Sequence, residues 1–179
     1  MPSNQNTVKS LKSKYAAGEK HSRHAAEEFG PGKHEFVFCP RGEAVYYKKS
    51  WHHASDFFTA TKLSFVDKKG VKFKLCPIHE MIKNKQYEGE IVIKNIPVKF
   101  KSELVRLIEN MGNTATRIDV LDRILDLRFK NKDLRITTSE NQLAWKIARK
   151  VTEVFKKKAQ AKISRAKEGD LVRINVLFI

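Results

Sequence analysis

Between Tyr87 and Phe178 the apolar residues switch repeatedly between a period of two and a period near 3.6, and that succession leaves few folds open. Tyr87, Gly89, Ile91 and Ile93 alternate with Glu88, Glu90 and Lys94, which predicts a strand ending by Pro97. Phe100, Leu104, Leu107, Ile108 and Met111 recur at helical spacing, and Gly112-Asn113 supplies a left-handed stop. Leu121, Leu125, Leu127 and Phe129 then alternate with Asp122, Asp126 and Arg128. The Asn131-Lys132-Asp133 cluster turns the chain, and Leu134, Ile136 and Thr138 alternate back as the second half of a hairpin. Ser139 and Gln142 have capping-box spacing, ahead of a helix with Leu143, Ile147, Val151, Val154 and Phe155 as its buried stripe, running to about Lys157. Strands around Lys162–Ala166 and Leu171–Phe178 follow, separated by Glu168-Gly169-Asp170. The order β-α-β-β-α-β-β predicts an α+β fold: a ferredoxin-like βαββαβ domain over 87–179 with an added C-terminal strand, its antiparallel sheet carrying two helices on one face.

Upstream, residues 35–86 read as a small basic module holding both cysteines, and residues 1–34 as a basic flexible tail. The tail has six lysines and arginines against three glutamates and almost no branched aliphatics, so it cannot bury enough apolar area to offset chain entropy. Over the whole chain, 36 Lys+Arg face 20 Asp+Glu, a formal net charge of +16, which calls for a polyanionic partner. No apolar run approaches the roughly 20 residues of a membrane span, and the polar start lacks the apolar core of a signal peptide, so a cytoplasmic protein is expected. Two cysteines in a reducing compartment make no disulfide framework.

Cys39-Pro40-Arg41-Gly42 and Cys76-Pro77-Ile78-His79 look like a pair of degenerate zinc knuckles. Cys39, Cys76 and His79 give three ligands for a structural zinc, and a fourth would come from His34, His52 or His53, with His52 the chosen candidate. The alternative is a metal-free module with both cysteines packed as small apolar residues. Tyr46-Tyr47-Lys48-Lys49-Ser50-Trp51 interleaves rings with cations, the composition that stacks unpaired bases and neutralises phosphates, although Trp51 serves equally well as a core plug. Trp145 lies off its helix's apolar stripe beside Lys146, Arg149 and Lys150, and Lys156, Lys157 and Lys158 concentrate charge at a helix C-terminus. The aromatic signature of the RNA-recognition motif is missing from both central strands, so the sheet face is not expected to be a standard base-reading platform. A P-loop, G-x-G-x-x-G, nucleophile elbow and H-E-x-x-H are also missing, and Asp119, Asp122 and Asp126 read as solvated faces.

The two Cys-Pro turns, then Met81-Ile82-Lys83-Asn84-Lys85-Gln86-Tyr87-Glu88-Gly89-Glu90-Ile91-Val92-Ile93, Asp122-Arg123-Ile124, and Thr137-Thr138-Ser139 leading into Leu143-Ala144-Trp145-Lys146-Ile147-Ala148-Arg149-Lys150, resemble the nonsense-mediated-decay protein three family over about residues 37–179. Gly42 and His79 stand where that family has cysteines. The resemblance implies a non-enzymatic adaptor of the large ribosomal subunit in a prokaryotic cytoplasm. Together with the charge, it leads to an expected role in ribosome biogenesis, quality control or site occupancy, with rRNA and the large subunit as partners. Lys48, Lys49, Trp51, Lys83, Lys85, Lys146, Arg149, Lys150 and Lys156–Lys158 are the expected RNA contacts. No small-molecule substrate is expected, and the protein should be a monomer off the ribosome. The rivals are a metal-dependent RNA-processing enzyme and a protein-interaction module.

Overall fold

A computed structural model describes residues 36–61, 72–156, 159–165 and 171–179; the expected tail, His34, Lys157 and Lys158 lie outside the described residues. The fold is mixed α+β, with two small mixed sheets and four helices among the described residues.

The first sheet joins β1 (Val37–Phe38), β2 (Ala44–Tyr47), β3 (Ser50–His53) and β4 (Lys72–Phe73) in the order β3-β2-β1-β4, antiparallel except for the parallel β1–β4 pair. Strand alternation sends Phe38 and Val45 to one side, where α1 (Ala54–Thr61) contributes Phe57. Val37, Cys39, Ala44 and Trp51 go to the other, where they meet Ile78 of α2 (Pro77–Asn84).

The second sheet is built from β5 (Gly89–Lys94), β6 (Ile124–Lys130), β7 (Asp133–Thr138), β8 (Ala159–Arg165) and β9 (Val172–Phe178) in the order β6-β7-β5-β9-β8. Helices α3 (Lys101–Ile118) and α4 (Asn141–Val154) connect β5 to β6 and β7 to β8. Ile91, Ile93, Leu134, Ile136, Ile174 and Val176 face the helices and close on Leu104, Ile108, Leu143, Ile147 and Val151, all essentially inaccessible to solvent. Burying each such side chain contributes about 1.5–3 kcal/mol, so this core is the main source of stability.

Three expectations are corrected. The sheet is not antiparallel throughout, because the added C-terminal strand lies inside it. After α4 the chain enters at the outer edge as β8, and the hairpin brings β9 back inside it, parallel to β5. Gly112 does not stop α3, which continues to Ile118; the glycine is buried, and a Cβ there would meet Ile124 Cδ1 at 2.6 Å, so it lets helix and β6 approach. Ser139 forms no capping box: Glu140 is the N-cap residue of α4, and the Ser139 hydroxyl donates to Leu121 O and accepts from Arg123 N–H, both at 2.8 Å. The hairpin carries a bulge between Ile124 and Asp126, and Leu125 packs against the core of the first sheet.

The two sheets share that core. Val120, Leu121 and Leu125 pack with Val37, Cys39, Trp51 and Ile78; His53 Nε2 lies 2.7 Å from Thr116 O; and Arg123 is ion-paired with Glu43. No helix among the described residues is long and apolar enough to cross a membrane.

Candidate functional site

Cys39 opens a tight turn in which Gly42 N–H donates to Cys39 O and Cys39 N–H donates to Ala44 O, both at 2.9 Å, with Gly42 at φ +75°. Glycine occupies that backbone region without strain. Cys76 is the N-cap residue of α2, Pro77 sits in the first turn, and the helical spacing brings His79 back over the cysteine. His79 Nδ1 stands 3.2 Å from Cys39 Sγ and 3.1 Å from Cys76 Sγ. Both thiols are buried and His79 is half-buried. Burial, seconded by the neighbouring Cys39, pushes the Cys76 thiol up to about 11 against hydrogen bonds from the His79 and Ile78 backbone. Burial also lowers the His79 pKa; Glu43 opposes the change, while Arg123 and Arg41 add to it, so the imidazole is neutral at pH 7.

Neutral imidazole and two thiols form a zinc-type donor set. With Zn–S about 2.3 Å and Zn–N about 2.05 Å in tetrahedral geometry, a sulfur and a nitrogen should stand about 3.5 Å apart, so the observed spacing fits after a few tenths of an ångström of adjustment. On the far side of the ring Nε2 lies 4.0 Å from Glu43, which is itself held by Arg123, so the carboxylate is near the ring without a direct hydrogen bond to it. His52 does not join this set. Its Nε2 lies 2.8 Å from Ser50 Oγ and 3.1 Å from Tyr47 O. His53 is occupied by Thr116.

The expected RNA contacts fall on several elements. Trp51 is 9% exposed and sits edge-to-face against Tyr46 with ring centroids 5.6 Å apart, so its core role displaces the expected stacking role. Trp145 packs on the edge of the main core. Lys146, Arg149 and Lys150 lie on α4, on the helix-covered side of the larger sheet, where Lys150 pairs with Glu153 at 3.3 Å. Lys156 is exposed just beyond α4. Lys48 and Lys49 are exposed at the β2–β3 hairpin tip, and Lys83 and Lys85 at the end of α2.

Three of these lysines share a backbone peculiarity. Among the described residues, positive φ outside glycine occurs at Lys48 (49°), Lys49 (67°), Lys85 (56°), Asn95 and Asn131. Asparagine tolerates this region, whereas lysine is strained there. Two-residue hairpin turns with both central residues at positive φ favour Asn-Gly, and helix C-termini favour glycine at the position Lys85 fills. The chain therefore holds solvent-facing cations where local stability favours smaller residues.

The open face of the larger sheet is the feature the sequence reading missed. On the polar phase of their strands, Arg135 and Arg173 flank Glu90 at 2.6 and 2.9 Å, and Arg128 pairs with Asp126 at 2.9 Å. The Arg135 guanidinium also lies over the Tyr87 ring, 5.2 Å from its centroid. Burial works against the charge on Arg135, but Glu90 and then Tyr87 outweigh it and hold its pKa above the usual arginine value. The alternation that identifies these strands also places the three arginines on one face, so the signal was present.

The three aspartates are not uniformly solvated. Asp119 accepts from Leu121 N–H at 2.8 Å, Asp126 pairs with Arg128, and Asp122 Oδ1 is buried without a hydrogen-bond partner. Burial raises the Asp122 pKa, with Lys146 opposing and Asp119 adding. Comparison with family models, with curated proteins and with solved structures returned no match.

Proposed function

We propose that this chain is a non-enzymatic RNA-binding protein of the large ribosomal subunit, active in its assembly, quality control or site occupancy. The observation that carries the reading is the trio Lys48, Lys49 and Lys85: exposed cations in left-handed backbone positions that a chain selected for stability alone fills with glycine or asparagine. A net charge of +16 supports it. Choice of the ribosome as partner rests on the family resemblance of the 37–179 segment. In keeping with that resemblance, the larger sheet is read as a ferredoxin-like βαββαβ arrangement interrupted by β9, and the smaller one as a degenerate zinc ribbon. Cys39, Cys76 and His79 would hold one zinc, which would tie the β1–β2 turn to the start of α2. Co-sedimentation with separated ribosomal subunits tests the partner, with the protein expected to travel with the large one. If about six phosphates are neutralised, log K falls against log salt with a slope near −5, and a flat response would exclude the mechanism.

A further inference from the structure

A groove of about 340 Å³ runs between α2 and the open face of the larger sheet. Its walls are of two kinds. Ile82, 49% exposed, and Leu125 offer apolar surface beside the Tyr87 ring, while Lys85, Arg128 and Arg135 line the rim. Asp126 stands among these three cations and is engaged by Arg128, and Arg135 is paired with Glu90, which leaves Lys85 as the cation with no carboxylate assigned to it among the described residues. A plain phosphate site needs no exposed isoleucine and tyrosine. A plain hydrophobic partner gains nothing from three cations. A nucleotide has both requirements: a flat base that stacks on aromatic and apolar surface, and phosphates that seek guanidinium and ammonium groups. The volume lies at the lower end of the roughly 300–1,000 Å³ typical of small-molecule sites, suited to one nucleotide and too small for a duplex.

We propose that this groove seats one unpaired nucleotide of the bound RNA, its base against Tyr87, Ile82 and Leu125 and its flanking phosphates at Lys85 and Arg128. Arg135 holds the Tyr87 ring from one side while bonded to Glu90, so the ring is oriented before RNA arrives. Lys85 reaches the rim because its left-handed backbone ends α2 at that point. The proposal rests on the RNA-binding reading and specifies that one contact in it is to a single-stranded nucleotide.

The test uses the full chain with a labelled ten-nucleotide oligouridine, a blunt RNA duplex and a ten-residue oligoglutamate as probes. Two variants are compared with wild type: Tyr87→Ala, and Ile82→Gln, which changes a half-exposed helix position without adding charge. Both are expected to weaken oligouridine binding about tenfold or more while duplex binding stays within twofold. If wild type binds both RNAs with steep salt dependence and neither variant affects oligouridine, the groove assignment is overturned and the RNA-binding reading stands. If wild type binds neither RNA, that reading fails and takes the groove with it. If oligoglutamate binds as tightly as oligouridine and is equally weakened by both variants, the occupant is an acidic peptide and the nucleotide assignment is refuted.

Discussion

Replacing Lys48 with Asn and Lys49 with Gly should make the protein more stable and a poorer RNA binder. Each lysine occupies the left-handed region, which costs an ordinary side chain about 1–2 kcal/mol; glycine relieves that cost in full and asparagine in part, so the remodelled turn gains about 2 kcal/mol. Two losses offset this. The new glycine is freer in the unfolded chain, at about 0.5 kcal/mol, and the Lys48 ammonium 5.1 Å from the Tyr47 ring centroid gives up an exposed cation–π contact of about 0.5 kcal/mol. The net is a gain of about 1 kcal/mol, a rise in Tm of about 2–4 °C for a chain of this size. If both ammonium groups meet phosphates, losing them flattens the salt slope by about 1.4 on single strands and about 1.8 on duplex. Circular dichroism melting and binding titrations at four salt concentrations read both quantities on the same preparation. A double variant that melts at or below wild type refutes the strain argument. One that is stabilised but keeps its full slope shows that the lysines are not phosphate contacts.

Gly89→Ala should destabilise by about 3 kcal/mol, because a Cβ there would collide with the Thr138 hydroxyl and come within 2.6 Å of Ala144 Cβ; a melting temperature within a degree of wild type would contradict it. Glu90→Gln leaves Arg135 and Arg173 without their shared carboxylate. Since both arginines are about half exposed, the expected loss is about 1–2 kcal/mol by urea unfolding, and an unchanged midpoint would show that the pair is not held as described. For Asp122, whose folded pKa is raised by burial, the ionised form is penalised in the folded state. Asp122→Asn should therefore stabilise at pH 7, with the gain fading as pH falls through the folded pKa; a gain that persists below pH 3 would disprove the assignment. Purified wild type should take up one zinc per chain by elemental analysis while Cys39→Ser takes up none, and equal uptake would remove these residues as ligands.

Most of the larger sheet was legible because its alternation is regular: the buried apolar positions of β5, β7 and β9 follow a period of two, while Glu90 and Thr137 are buried out of phase with them on the arginine-bearing face. The departures come from residues whose roles are set by distant neighbours. Gly112 reads locally as a stop signal, yet its missing Cβ serves Ile124 across the layer. Ser139 reads as a cap, yet its hydroxyl is claimed by the 121–123 loop. Nothing local distinguishes β9 at an edge from β9 inside, because either position leaves its alternation intact. In the smaller sheet, Cys39, Cys76 and His79 could be paired from sequence, since their turns present ligands at recognisable spacing, whereas the choice among the remaining histidines depended on β3, which carries His52 away. Arg128, Arg135 and Arg173 were visible on their strands. Their convergence on one face was missed because the charged positions were read strand by strand as solvated faces and not as one surface.

The placement of β9 has a kinetic consequence. Gly89 opposes Val172, so closing the middle of the sheet joins residues 83 apart (172 − 89), in a parallel ladder with no turn to nucleate it. Such long-range pairings form late and slowly. Until then one side of β5 offers unpaired amides and carbonyls to any passing strand, so refolding should lose yield as protein concentration rises.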